Sequence, residues 1–312
     1  MKNITYAAIL GLLFTSQLAT AQNKNSTTYH TIKIKGTEIF YREAGNQNAP
    51  TLVLLHGYPT SSYQYRKLID NLSDKYHLIA PDYPGYGRSE QPPMAKFTYT
   101  FENISSIMEK LIDTLGVQKY SLYLMDYGAP VGFRIAEKNP TKIQSLIIQN
   151  GNAYDEGLET FWEPFKKYWV NKKDKDTEKT LAGFHSMDGL KWQYTHGVHN
   201  TALISNDNWE MDMRHLTRPE NNDIQLAMFY DYQSNVKLYP KWQAYFRKYQ
   251  PKTLIIWGKN DYIFPASGAE AYKKDLKNID FHLYDTGHFA LESFSDEMTI
   301  AIRSFLNTIN HK

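Results

Sequence analysis

Six short, almost unbroken apolar runs set the architecture of this chain: Thr51 to Leu55, His77 to Ala80, Tyr120 to Met125, Ile143 to Ile148, Thr253 to Trp257 and Phe281 to Tyr284. Runs of this length without polar alternation are strands buried on both faces, the condition of a parallel sheet. Between them lie segments with helical spacing, Tyr63 to Leu72, Asn103 to Leu115, Val131 to Lys138, Ala266 to Leu276 and Asp296 to Leu306. These supply the crossovers of an α/β fold with a mostly parallel, doubly wound sheet. Ahead of them, Thr31 to Ile34 and Glu38 to Tyr41 flank Lys35-Gly36-Thr37 and read as a β-hairpin. A chain of 312 residues, 42% of them apolar, can fill one such core and still carry an insertion.

The insertion is where the alternation lapses, from Asn152 to about Gln250, a stretch rich in Trp, Tyr, Asn and charge without clear strand runs. It is expected to be a helical cap over residues 152–250, dividing a core made of 22–151 and 251–312. Within it, Lys172 to Lys179 alternates in charge and reads as a solvated loop or helix face.

The first 21 residues stand apart. Lys2 precedes an apolar run from Ile4 to Leu18, and Ala19-Thr20-Ala21 forms a small-x-small cleavage site. That is the pattern of a secretory signal peptide cut after Ala21, which predicts a periplasmic or secreted protein with no membrane attachment after cleavage. Loss of Lys2 lowers the formal charge from +2 to +1, so no basic field points to nucleic acid. The chain has no cysteine, which removes disulfides, lipidated cysteine and thiolate metal sites. Its 24 tyrosines fit either a general composition bias or a tyrosine-lined pocket.

Chemistry-bearing residues fall just after the strands. His56-Gly57-Tyr58-Pro59 follows the first parallel strand and Asp82-Tyr83-Pro84-Gly85-Tyr86-Gly87-Arg88-Ser89 the next. Asp126 ends the run Leu122-Tyr123-Leu124-Met125, and a helix starts two or three residues later. Asp261 lies in Trp257-Gly258-Lys259-Asn260-Asp261, and His288 in Thr286-Gly287-His288-Phe289 after the last strand. In this order the pieces resemble the α/β-hydrolase superfamily, and within it the aspartate-nucleophile branch of epoxide hydrolases and haloalkane dehalogenases. The resemblance spans nearly all of the chain after residue 21 and is weakest in the cap.

The resemblance implies a mechanism. Asp126, at the nucleophile elbow, attacks a saturated carbon and becomes an alkyl ester, a step open to a carboxylate but not useful to a serine. His288, oriented by Asp261, then activates water against the ester carbonyl. The backbone N–H groups of Tyr58 and Tyr127 form the oxyanion hole. His56 is set beside the substrate, where it braces the glycine turn rather than exchanging protons. The partners implied are a small apolar organic substrate and water, with no cofactor and no metal; His196 and His199 lack the companions a zinc site needs.

Each residue has a plainer reading. Asp126 could cap the following helix, and Asp261 could be a turn aspartate with Asp285 steadying the histidine instead. Asn150 and Gln149 lie close by but carry no charge to steady an imidazolium. A serine esterase is disfavoured, since Ser121 opens the strand and does not end it. A non-catalytic ligand binder on this fold is disfavoured by the intact set of three.

The leaving group separates the two branches. Dehalogenases hold halide with indole or amide N–H groups at positions occupied here by Tyr127 and Tyr58. Epoxide hydrolases protonate the ring oxygen with cap tyrosines, and Tyr232-Gln233-Ser234-Asn235 partly resembles their cap motif. Tyr232 is the first choice for that acid, with Tyr168 or Tyr154 as its partner. Leu124 argues the other way, being bulkier than the residue epoxide hydrolases often carry there. The favoured activity is epoxide hydrolysis, with haloalkane dehalogenation as the alternative.

Overall fold

The computed structural model describes residues 26–309. The leader read in residues 1–21 lies outside them. Eight strands form one sheet: β1 (Thr28–Ile34), β2 (Thr37–Ala44), β3 (Thr51–Leu55), β4 (His77–Pro81), β5 (Tyr120–Met125), β6 (Ile143–Gln149), β7 (Lys252–Gly258) and β8 (Ile279–Tyr284). Their spatial order is β1-β2-β4-β3-β5-β6-β7-β8. From β4 to β8 all neighbours are parallel, and β2 runs antiparallel to both β1 and β4. The β1–β2 hairpin closes through Lys35 and Gly36, both at positive φ, the backbone of a two-residue type I′ turn.

Twelve α-helices accompany the described strands: α1 (Arg66–Leu72), α2 (Phe101–Thr114), α3 (Gly128–Lys138), α4 (Glu163–Val170), α5 (Lys175–Ala182), α6 (Met187–Thr195), α7 (Asp207–Leu216), α8 (Asn221–Asp231), α9 (Gln233–Tyr249), α10 (Ala266–Ala271), α11 (Ala290–Ser293) and α12 (Ser295–Asn307). Outside the sheet, α2 packs on α3 and α1 on α12. Every side chain of β3, β4 and β5 is buried, so the sheet centre is apolar on both faces. None of the described helices is long and apolar enough to cross a membrane.

Helices α4 to α9 lie between β6 and β7 and roof the carboxyl end of the sheet. The run Lys172–Lys179 becomes the start of α5, with Asp174 accepting the N–H groups of Asp176 and Thr177 as its N-cap. Polar ties fasten the rear of this roof to the core. Arg134 of α3 donates to Asn235 Oδ1 at 2.6 Å and to Ser234 Oγ at 3.1 Å, both on α9. Tyr86 donates to Gln225 Oε1 of α8 at 2.6 Å, and Asp231 at the end of α8 accepts the N–H of Phe101 at 2.8 Å.

Candidate active site

The register places four strand ends side by side. Leu55 of β3 pairs with Leu124 of β5, Met125 with Gln149 of β6, and Gln149 with Ile256 of β7. Residues just beyond these ends, Tyr58, Asp126, Asn150 and Asp261, therefore share one edge of the sheet, and His288 follows β8 beside them. Ligands of open α/β sheets sit at this carboxyl edge.

Asp126 bends sharply out of β5 with φ at 50°, a left-handed conformation that costs a non-glycine residue on the order of 1 kcal/mol. It is held there by its own carboxylate. Oδ1 accepts the backbone N–H of Tyr58 at 2.7 Å and of Tyr127 at 2.6 Å. The turn that delivers the Tyr58 N–H needs Gly57, since a Cβ there would stand 2.4 Å from the Asp126 Cβ. Oδ2 takes no such donor and faces His288 Nε2 at 3.7 Å. Burial pushes the Asp126 carboxyl up to about 6, against the opposing pull of His288 and of the two amides.

His288 Nδ1 bonds to Asp261 Oδ2 at 2.8 Å, and its Nε2 is buried without a partner among the described residues. A carboxylate can only accept, so Nδ1 carries the proton and a neutral ring turns a bare Nε2 lone pair toward Asp126. Burial works against the imidazolium, but the Asp261 carboxylate, helped by Asp126, outweighs it and holds the His288 pKa above the usual histidine value. Asp261 is itself fixed by Ile263 N–H at 2.8 Å on Oδ1 and by Asn150 Nδ2 at 2.8 Å on Oδ2. Asn150 also accepts the Gly258 N–H at 3.1 Å. Asn150 is thus a positioning partner of Asp261, a role missed when it is weighed only as a rival for the histidine. Asp285 bonds to Asn260 at 2.9 Å instead, away from His288.

Asp126 opens into a narrow cavity of about 330 Å³, so tight that a water-sized sphere fits only a small part of it. Its walls are Tyr58, Tyr127, Phe161, Trp162, Phe165, Phe184, Phe229, Ile263 and Gln193. Phe161, Trp162 and Phe165, at helix-like spacing before and into α4, were a legible signal; Phe184, Gln193 and Phe229 carried none. Tyr58 and Tyr127, whose amides hold Asp126, also line this space. Tyr58 donates its O–H to the Phe184 carbonyl at 3.1 Å, whereas the Tyr127 hydroxyl has no partner among the described residues. The indole N–H of Trp162 is committed to the Ile263 carbonyl at 2.7 Å.

The other tyrosines expected in the cavity are elsewhere. Tyr232 stands one layer back, its ring 4.4 Å from Trp162 and its hydroxyl 3.5 Å from that of Tyr239, because it fills the α8–α9 junction rather than the cavity wall. Tyr154 donates to Asp275 Oδ2 at 2.7 Å and packs against Tyr272, a site below the cap. Tyr168 meets Tyr230 edge-on, on the far side of α4. His56 does not line the cavity either. Its Nε2 accepts the Tyr83 N–H at 3.2 Å, so the proton sits on Nδ1, which donates to the Gly57 carbonyl at 2.9 Å; burial lowers its pKa to about 4. It braces the turn as a neutral ring. Leu124 does not bear on the leaving group, since its methyl groups fill the space opened by Gly132, where a Cβ would come within 2.2 Å.

Among the described residues no group of three His, Asp or Glu could hold a metal ion. What the site offers is a carboxylate with one free oxygen, a histidine–aspartate pair beside it, and two amides on the carboxylate's other oxygen. Such a set can form an ester and hydrolyse it.

The fold and this set define an α/β hydrolase. The chain belongs to the α/β-hydrolase fold family, which its residues 50–294 match. It is 43% identical over 269 residues to an uncharacterized hydrolase of Saccharomyces cerevisiae, covering 85% of this chain and 92% of that one. It is 24% identical to epoxide hydrolase 1 of Caenorhabditis elegans, over 88% of this chain and 69% of the relative. The crystal structure of a mutant haloalkane dehalogenase, DatA of Agrobacterium tumefaciens, superposes with a TM-score of 0.75 at 19% identity, over 90% of this chain and 97% of that one; at this identity the likeness speaks for the fold.

Proposed function

We propose that this hydrolase opens small apolar epoxides to diols through an ester on Asp126. The division of labour between the two Asp126 oxygens carries the reading. Oδ1 is bound by the Tyr58 and Tyr127 amides, which leaves Oδ2, turned toward His288, as the attacking atom. Oδ2 bonds to a ring carbon, the ring C–O bond breaks, and the oxygen released takes a proton from a phenol in the wall. His288 Nε2 then removes a proton from water, whose oxygen attacks Cγ of the ester while Oδ1, already in place, carries the negative charge. Collapse expels the diol oxygen, which takes up the proton held by His288, and the proton left on the regenerated Asp126 carboxyl passes to the phenolate, restoring both groups.

The proton donors favour an epoxide over a halide. Tyr127 lines the wall and carries a buried hydroxyl that no described residue engages, and burial keeps it protonated by pushing its pKa well above 10, whereas the Tyr58 O–H is already given to the Phe184 carbonyl. Trp162, the indole in that wall, spends its N–H on a carbonyl. Location outside the cytoplasm belongs to the same proposal and rests on the leader-like residues 1–21 and the absence of cysteine.

The test is to incubate His288→Phe with a panel of small epoxides and a panel of haloalkanes and to map adducts by intact mass and peptide analysis. The expected result is an Asp126 adduct with epoxides. Adducts and halide release from haloalkanes alone would move the assignment to a dehalogenase, and reversible binding without any adduct would sink the covalent mechanism.

A further inference from the structure

A second pocket, separate from the catalytic cavity, has a wall dominated by cations. It lies where β2 and the Asp82–Ser89 loop meet α7 and the turn after it, and it encloses about 710 Å³ including its open mouth. Arg42, Arg88, Arg214, Arg218 and His215 all contribute to it. The arginine ion pairs among the described residues involve Arg66, Arg134, Arg247 and Arg303, and none of these four. The carboxylate in the wall is already occupied: Asp82 Oδ1 accepts the Ser62 N–H and Oδ2 the Arg88 N–H, each at 2.7 Å.

These cations are held in place before any ligand arrives. Arg42, buried, donates Nε to Ser62 Oγ at 3.0 Å and lies over the Tyr29 ring at 5.2 Å, which fixes the fork while its terminal nitrogens bond to no described protein atom. Arg218 bonds to the carbonyls of His215, Ser89 and Gly85 at 3.2, 3.2 and 2.8 Å, fastening cap to core and adding its charge. Arg88 and Arg214 are exposed at the mouth. His215 is only 3% exposed, and its Nε2 has no partner.

The chemistry wanted here is an anion with several oxygens for guanidinium forks. Phosphate, sulfate and their monoesters have such oxygens; chloride has none. We propose that this pocket binds a tetrahedral oxyanion, phosphate or sulfate, free or as a small monoester, which clamps the cap to the core across the β2–α7 seam. A ligand that binds the folded seam raises stability by mass action.

The test uses the whole protein at fixed ionic strength, with calorimetry and thermal unfolding in inorganic phosphate, sulfate, chloride and phenyl phosphate. The expected result is saturable binding of phosphate and of sulfate with a rise in Tm, and no specific effect of chloride. Arg88→Gln and Arg214→Gln, at exposed positions outside the catalytic set, should each weaken phosphate by about ten-fold. Phenyl phosphate that binds at least as tightly as phosphate identifies a monoester site, and exclusion of phenyl phosphate identifies a free-phosphate site. A phosphate effect no larger than that of chloride, or full affinity in the variant carrying both substitutions, would overturn the proposal.

Discussion

His288 Nε2 stands 3.7 Å from Asp126 Oδ2, both residues buried and the two atoms not hydrogen-bonded to each other. The gap is too long for a direct hydrogen bond, and in the proposed mechanism it leaves the histidine free to address a water once Oδ2 has become an ester oxygen. In a single turnover in 18O-enriched water, the label is therefore expected in the Asp126 carboxylate and not in the first diol released. Peptide mass spectrometry reads this directly, and label appearing in product from the first turnover, with none in Asp126, would falsify the ester route.

Ionisation of the same pair sets the pH dependence. Burial pushes the Asp126 carboxyl up to about 6, and as the proposed nucleophile it must be charged, so ester formation is expected to fall as pH drops below about 6 and to level off above it. Rapid-quench measurement of the alkylation step across pH gives this limb. The His288 imidazolium is partly supported by the Asp126 charge, so Asp126→Asn should titrate His288 at a lower pH than the wild type. An unchanged histidine titration by NMR would show that the two groups are uncoupled.

Tyr127→Phe separates chemistry from stability. The hydroxyl it removes is buried and unpartnered, so unfolding free energy should stay level or rise by about 1 kcal/mol. Epoxide turnover should nevertheless drop by roughly 10- to 100-fold if this phenol protonates the leaving oxygen. Unaltered turnover in Tyr127→Phe and in Tyr58→Phe together would remove phenols from the mechanism.

Asp212 of α7 gives a stability test independent of catalysis. It is fully buried, accepts the Tyr194 O–H at 2.6 Å, and burial raises its pKa to about 7 despite the bond from Tyr194. Because the folded value lies above the unfolded one, its contribution is complete below the ordinary carboxylate range and is lost as pH rises through about 7, on the order of 4 kcal/mol across that window. Asp212→Asn cannot titrate, so its Tm relative to wild type should climb between pH 5 and pH 9. A constant difference would mean that Asp212 is already ionised at the lower pH.

The parts of this molecule that could be read from sequence are those fixed by one strand at a time. The run Thr51–Leu55 is β3 and Tyr120–Met125 is β5 without adjustment, because strands buried on both faces cannot hide their ends. Asp126 was legible for the same reason, being the polar residue that ends such a run, whereas Asp261 and His288 stand beyond other polar residues after theirs and were read from the order of the pieces. The cavity wall was not, because Phe184, Gln193 and Phe229 come from three cap elements whose mutual packing leaves no sequence period. Tyr232, Tyr154 and Tyr168 show the cost of choosing cap residues by type: a tyrosine suits a helix junction or a carboxylate partner as well as a cavity. Asn150 illustrates a different blind spot, since support of Asp261 depends on β6 and β7 being neighbours.

The bracket from Arg134 to Asn235 and Ser234 divides the molecule's capacity for change. Helix α9 is fastened to the helix that leaves the elbow, so rebuilding it would displace Asp126 along with the roof. The front stretch, α4 to α6, hangs on fewer polar links to the sheet, notably Trp162 to Ile263 and Tyr58 to Phe184. Substrate range in this chain can therefore diversify through Phe161, Phe165, Phe184 and Gln193, while the rear half conserves the reacting geometry.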